Sequence, residues 1–67
     1  RYNPAITKAQ AEDAAVKSMK GQVLYTELDE DDKVLFYEVT LISDDLKLYE
    51  ITINATSGRV VKTEIKD

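Results

Sequence analysis

Two stretches of this chain, Tyr37-Glu38-Val39-Thr40-Leu41 and Tyr49-Glu50-Ile51-Thr52-Ile53, carry the same strict alternation of apolar and polar residues. A period of two marks a β-strand with one face in a core and the other in water. Both stretches must therefore deliver their apolar sets to the same side of one sheet, and that condition sets the register. A two-residue loop of Asp44-Asp45 would oppose Leu41 to Leu48 and turn the following strand inside out, because a slip of one residue exchanges the faces. An odd connection (three residues from Asp44 to Leu46, five, or a bulge) pairs Leu41 with Tyr49, Val39 with Ile51 and Tyr37 with Ile53. The period is far too short for a solenoid repeat. It reads as two strands that obey one rule.

The rest of the chain fits around this pair. Two more β-rich runs are predicted, from Gln22 to Asp29 and from Arg59 to Ile65, with the central strands from Val34 to Ser43 and from Leu48 to Ala55. Acidic clusters or glycine separate the runs, and connections this short exclude parallel crossovers. Ahead of Gly21 the pattern changes. Thr7 and Gln10 have the spacing of a capping box, with Ile6 and Ala11 placed for a hydrophobic staple. Ala9, Ala11, Ala14 and Ala15 are strong helix formers, and Gly21 is a natural residue to follow a helix end. A helix is expected from Lys8 to Met19 or Lys20. Its buried stripe is Ala11, Ala15 and Met19, widened by Ala14 and Val16, and alanines let it lie close on a sheet. The fold class is therefore α+β: one N-terminal helix packed on a four-stranded antiparallel sheet, in the order α-β-β-β-β.

With 67 residues the chain is one domain. Hydrophobic residues make up 43% of it, which argues for a folded core although 33% are charged. The chain opens at Arg1 without methionine, so residues 1–67 are expected to be a fragment of a larger protein. The formal net charge of −4 disfavours a phosphate backbone as partner, so no nucleic acid is expected. An anionic membrane surface is disfavoured for the same reason, and no apolar run approaches the length of a membrane span, so no direct membrane insertion by this fragment is expected.

Missing residue types exclude much chemistry. There is no histidine and no cysteine. A Ser-His-Asp triad, a thiol nucleophile and a conventional zinc site are all ruled out. Ser18 beside Lys17 and Lys20 sits at an exposed helix end, where nothing would depress a lysine pKa. The acidic run Asp29-Glu30-Asp31-Asp32 fails the EF-hand spacing, since Lys33 falls at the fifth position and Val34 at the sixth. It reads as a solvated hairpin turn, with weak calcium binding as the alternative. Glu38 and Glu50 share a face, but on a flat, exposed sheet surface their pKa values would not separate. Tyr25, Tyr37 and Tyr49 read as core or half-buried sheet residues. No catalytic, metal or cofactor residue is expected. Phe36, Ile42 and Leu48 fall on the face opposite the core set, where scattered exposed apolar residues are ordinary; if they cluster with Val60, the four form a candidate contact patch for a protein partner.

The ordered combination of an Ile-Thr start, an alanine-rich helix, Gly21 and Val23, an acidic turn, Tyr37-Glu38-Val39, Tyr49-Glu50-Ile51, and Asn54-Ala55-Thr56-Ser57-Gly58-Arg59-Val60 resembles the PepSY domain of peptidase propeptides and YpeB-like proteins. The resemblance runs from about Ile6 to Val61. The chain departs from the family's closing Asp-Ala-x-Thr-Gly-x-Val pattern at Asn54 and Ser57, both turn-competent residues. It implies a non-catalytic, cofactor-free protein-binding module, secreted or membrane-anchored at a bacterial envelope, that inhibits or regulates an extracytoplasmic peptidase. The alternative it leaves is a structural module docked on a neighbouring domain of the same envelope protein.

Overall fold

In the computed structural model, which describes residues 3–66, the helix opens where the sequence places it. Helix α1 spans Lys8–Ser18. The Gln10 N–H donates to Thr7 Oγ1 at 3.0 Å and the Thr7 N–H donates to Gln10 Oε1 at 2.8 Å, so the capping box satisfies two otherwise orphaned donors. Ala11 and Ala15 are fully buried, with Ala14, Val16 and Met19 packed at the margin. The helix ends one residue early. Met19 is its C-cap in an extended conformation and its N–H donates to Ala15 O. Gly21 is therefore not a left-handed helix terminator. It opens strand β1, Gly21–Asp31, opposite Ser43. A Cβ on Gly21 would collide with the Ile42 carbonyl oxygen, so close approach of backbones requires the glycine.

Three further strands complete one sheet: β2 at Val34–Ser43, β3 at Leu48–Asn54 and β4 at Val60–Lys66. Their order is β1-β2-β3-β4 and every pairing is antiparallel. The expected central register holds, with Leu41 opposite Tyr49, Val39 opposite Ile51 and Tyr37 opposite Ile53. The odd connection is the three-residue loop Asp44 to Leu46. Ser43 and Lys47 close it, through Ser43 N–H to Lys47 O at 2.8 Å. Leu46 takes the left-handed position there, at φ 66°.

The β1–β2 connection is tighter than expected. Strand β1 continues through Asp29, Glu30 and Asp31, and only Asp32 and Lys33 turn, at φ 51° and 68°. Two successive positive φ values are those of a type I′ hairpin, whose twist matches the strands it joins. The β3–β4 turn is held by Asn54: its Oδ1 accepts from the N–H groups of Thr56 (2.8 Å) and Ser57 (2.9 Å). Gly58, at φ 77°, donates to Asn54 O.

The core lies wholly between helix and sheet. Tyr37, Val39, Leu41, Ile51, Ile53 and Ala55 meet Ala11 and Ala15. The Tyr37 hydroxyl donates to Ile6 O at 2.9 Å, which satisfies the one polar atom this ring carries into the core. A bulge between Val23 and Tyr25 interrupts β1. It turns Thr26 inward, where its hydroxyl donates to Glu12 on the helix at 2.6 Å. The same shift sends Tyr25 to the other face, where it is 57% exposed, correcting the expectation that it is core or half-buried.

Candidate functional site

One helix covers one face of this sheet, and among the described residues nothing covers the other. Cross-strand partners share a face, so the register lists what the open face displays. One row across it reads Glu27, Glu38, Thr52, Lys62; the next toward the β1–β2 hairpin reads Asp29, Phe36, Asn54; on the other side run Tyr25, Thr40, Glu50, Glu64 and then Gln22, Ile42, Leu48, Lys66. With Asp31 opposite Val34 at the hairpin end, six carboxylates face two ammonium groups.

The two cations are already engaged. Lys66 Nζ lies 3.9 Å from Glu50 and Lys62 Nζ 3.8 Å from Glu64. These are loose, largely exposed pairs of small energetic value. The carboxylates of the β1–β2 half, Glu27, Asp29, Asp31 and Glu38, have no cation within ion-pair distance among the described residues. Glu38 feels this most. Its partial removal from water comes first, followed by the negative charges of Glu50, Asp29 and Glu27, and together they hold its carboxyl above the ordinary value of 4.5. The expectation of a flat face with unperturbed glutamates is corrected here. Phe36, Glu38, Thr52, Val61 and Lys62 line a shallow open groove bordered by the Asp29–Asp31 segment.

The residues expected to contact a partner do not converge. Ile42 and Leu48 are a cross-strand pair at one end of the open face. Phe36 lies six residues along β2 from Ile42, about 20 Å away at strand rise. Val60 stands opposite buried Ile53 and so belongs to the helix side of the sheet. The bulge between Thr52 and Ile53 brings Val61, 52% exposed, into the groove with Phe36 instead. Nothing in the sequence marks a bulge at that point. Alternation along β1 separates the acidic run, and no three potential metal ligands converge among the described residues.

Comparison with known proteins places this geometry. The family described as peptidase propeptide and YPEB domain (PepSY) matches residues 5–64. The YkoJ protein of Bacillus subtilis, itself uncharacterised, is 41% identical over 63 residues, which span 94% of this chain and 37% of YkoJ. The crystal structure of a candidate lipoprotein of Clostridium difficile 630 superposes with a TM-score of 0.87 at 32% identity, covering 98% of this chain and 43% of that one. The chain thus spans well under half the length of either relative.

Proposed function

This chain belongs to the PepSY family, and on that premise we propose that it is a non-catalytic protein-binding module which restrains or regulates an extracytoplasmic peptidase. The observation that carries the reading is the family match over residues 5–64, in a fold whose described residues leave one sheet face without a covering layer. An uncovered sheet face and two free edges are surfaces on which a partner can be read, by side-chain packing or by strand addition. Strand β4 is one free edge, though Lys62, Glu64 and Lys66 protect it with charge. An extracytoplasmic site of action draws support from the description of the Clostridium relative as a candidate lipoprotein. No helix among the described residues is long and apolar enough to cross a membrane.

A second reading is that residues 1–67 are one domain of a larger envelope protein and dock on its neighbour. The spans of 37% and 43% in the two relatives favour it, since each leaves room for further domains. Titrating the purified domain against envelope peptidases, following both inhibition and complex formation, separates the two. Inhibition at micromolar concentration supports the regulatory reading. No inhibition and no complex at high micromolar concentration removes it and leaves the docking module.

A further inference from the structure

Resting on the protein-binding reading above, we propose that the partner of the open face is an extended cationic segment, with an apolar side chain between its basic ones, laid along the β1–β2 half of the sheet. The argument is charge complementarity with a fixed geometry. Four carboxylates on this half have no cation within ion-pair distance among the described residues; Lys62, at the β4 wall of the same groove, lies 3.8 Å from Glu64, and Lys66 lies 3.9 Å from Glu50. Phe36 lies between these charges. It is flanked across the strands by Asp29 and along β2, two residues on, by Glu38. Val61 closes the groove beside it.

Rows on this face repeat every two residues, about 7 Å. An extended peptide has the same period. One lysine or arginine of the ligand meets Glu38 and Glu27, an aliphatic side chain two residues on covers Phe36, and the next basic group meets Asp29 and Asp31. The groups around Glu38 are acidic from β1 (Glu27, Asp29) and β3 (Glu50), with Lys62 of β4 drawn toward Glu64. A bound ammonium or guanidinium therefore relieves a repulsion that the free protein carries. It also favours ionised Glu38, so binding weakens as pH falls into the carboxylate range. An anionic or purely apolar partner gains none of this.

The probe is a synthetic nonapeptide, Lys-Ser-Val-Ser-Lys-Ser-Val-Ser-Lys, which sets lysine and valine in turn along one face of an extended strand, with the counterpart carrying glutamate for lysine as control, titrated into the ¹⁵N-labelled domain at low salt. The expected result is binding of the lysine peptide alone. Amide shifts fall on the open face around Phe36, Glu38 and Thr52, and affinity drops at least tenfold in Glu27→Gln/Glu38→Gln. It changes by less than twofold in Asp13→Asn/Asp44→Asn, which removes the same charge elsewhere. Both variants stay folded: Asp13 and Asp44 are exposed, and the loss of Glu27 and Glu38 relieves like-charge repulsion, so neither double variant unfolds under the conditions of the titration. Shifts confined to a strand edge or to α1, or equal losses in the two double variants, overturn the proposal. Repeating the peptidase titration with Glu27→Gln/Glu38→Gln keeps the two claims apart. A variant that still inhibits fully refutes this surface while the regulatory reading stands, and lysine-peptide binding without any peptidase complex does the reverse.

Discussion

Replacing Ala15 by leucine probes the contact on which the fold depends. Ala15 and Ala11 are fully buried where α1 lies on the sheet. Three added carbon atoms would contribute about 2 kcal/mol of stabilisation if a space received them, at roughly 0.8 kcal/mol per methylene. None does: the groove lies on the other side of the sheet, and the atoms below Ala15 are those of the core. Overpacking therefore wins, at about 1–3 kcal/mol. A domain of this length holds on the order of 3–10 kcal/mol in total, so Ala15→Leu folds but loses a large share of its stability. Urea denaturation followed by circular dichroism reads this directly. With m near 1 kcal/mol/M for so small a chain, the midpoint falls by about 1–3 M at unchanged m. Ala14→Leu, at the half-buried margin of the same helix, moves it by less than about 0.5 M. An Ala15→Leu midpoint equal to or above wild type would refute the flush packing of helix on sheet.

Other positions test the backbone and the open face. Asp32→Asn/Lys33→Gly places the residues that a type I′ turn prefers at the two positive φ values, and raises stability by about 1 kcal/mol in the same urea assay. Gly58→Ala keeps its space, with Ile6 no nearer than 3.8 Å, but forces a side chain into φ 77°; a loss of about 1 kcal/mol is expected, and an unchanged midpoint would show that the turn relaxes. Glu38→Gln tests the raised carboxyl. A carboxylic acid whose folded pKa lies above its unfolded value binds its proton more tightly when folded, so its penalty is absent at low pH, grows as pH rises through the window just above 4.5 and is full at neutrality. Glu38→Gln is therefore more stable than wild type at pH 7, and the gap closes as the pH falls to about 4; a gap that is constant or widens in acid contradicts the repulsion.

Much of this was legible in residue order because the determinants are local or periodic. The capping box needs only Thr7 and Gln10, three positions apart. The β2–β3 register needs only two alternating runs that must share a face. The open-face contacts were poorly legible for the opposite reason. Phe36, Ile42, Leu48 and Val60 looked equivalent as apolar residues off the core pattern, and strand length and a bulge then dispersed them.

Residue order alone determined one helix, four strands and their central pairing, since capping and propensity act between chain neighbours, and the alternation of two nearby runs leaves one register in which both bury the same face. Tertiary structure alone decided where the sheet breaks step. The bulges at Val23/Tyr25 and Thr52/Ile53 turn Thr26 toward Glu12, send Tyr25 outward and bring Val61 to the groove. Such breaks answer to how helix, sheet twist and hairpins fit together at once, and no run of residues encodes that fit by itself.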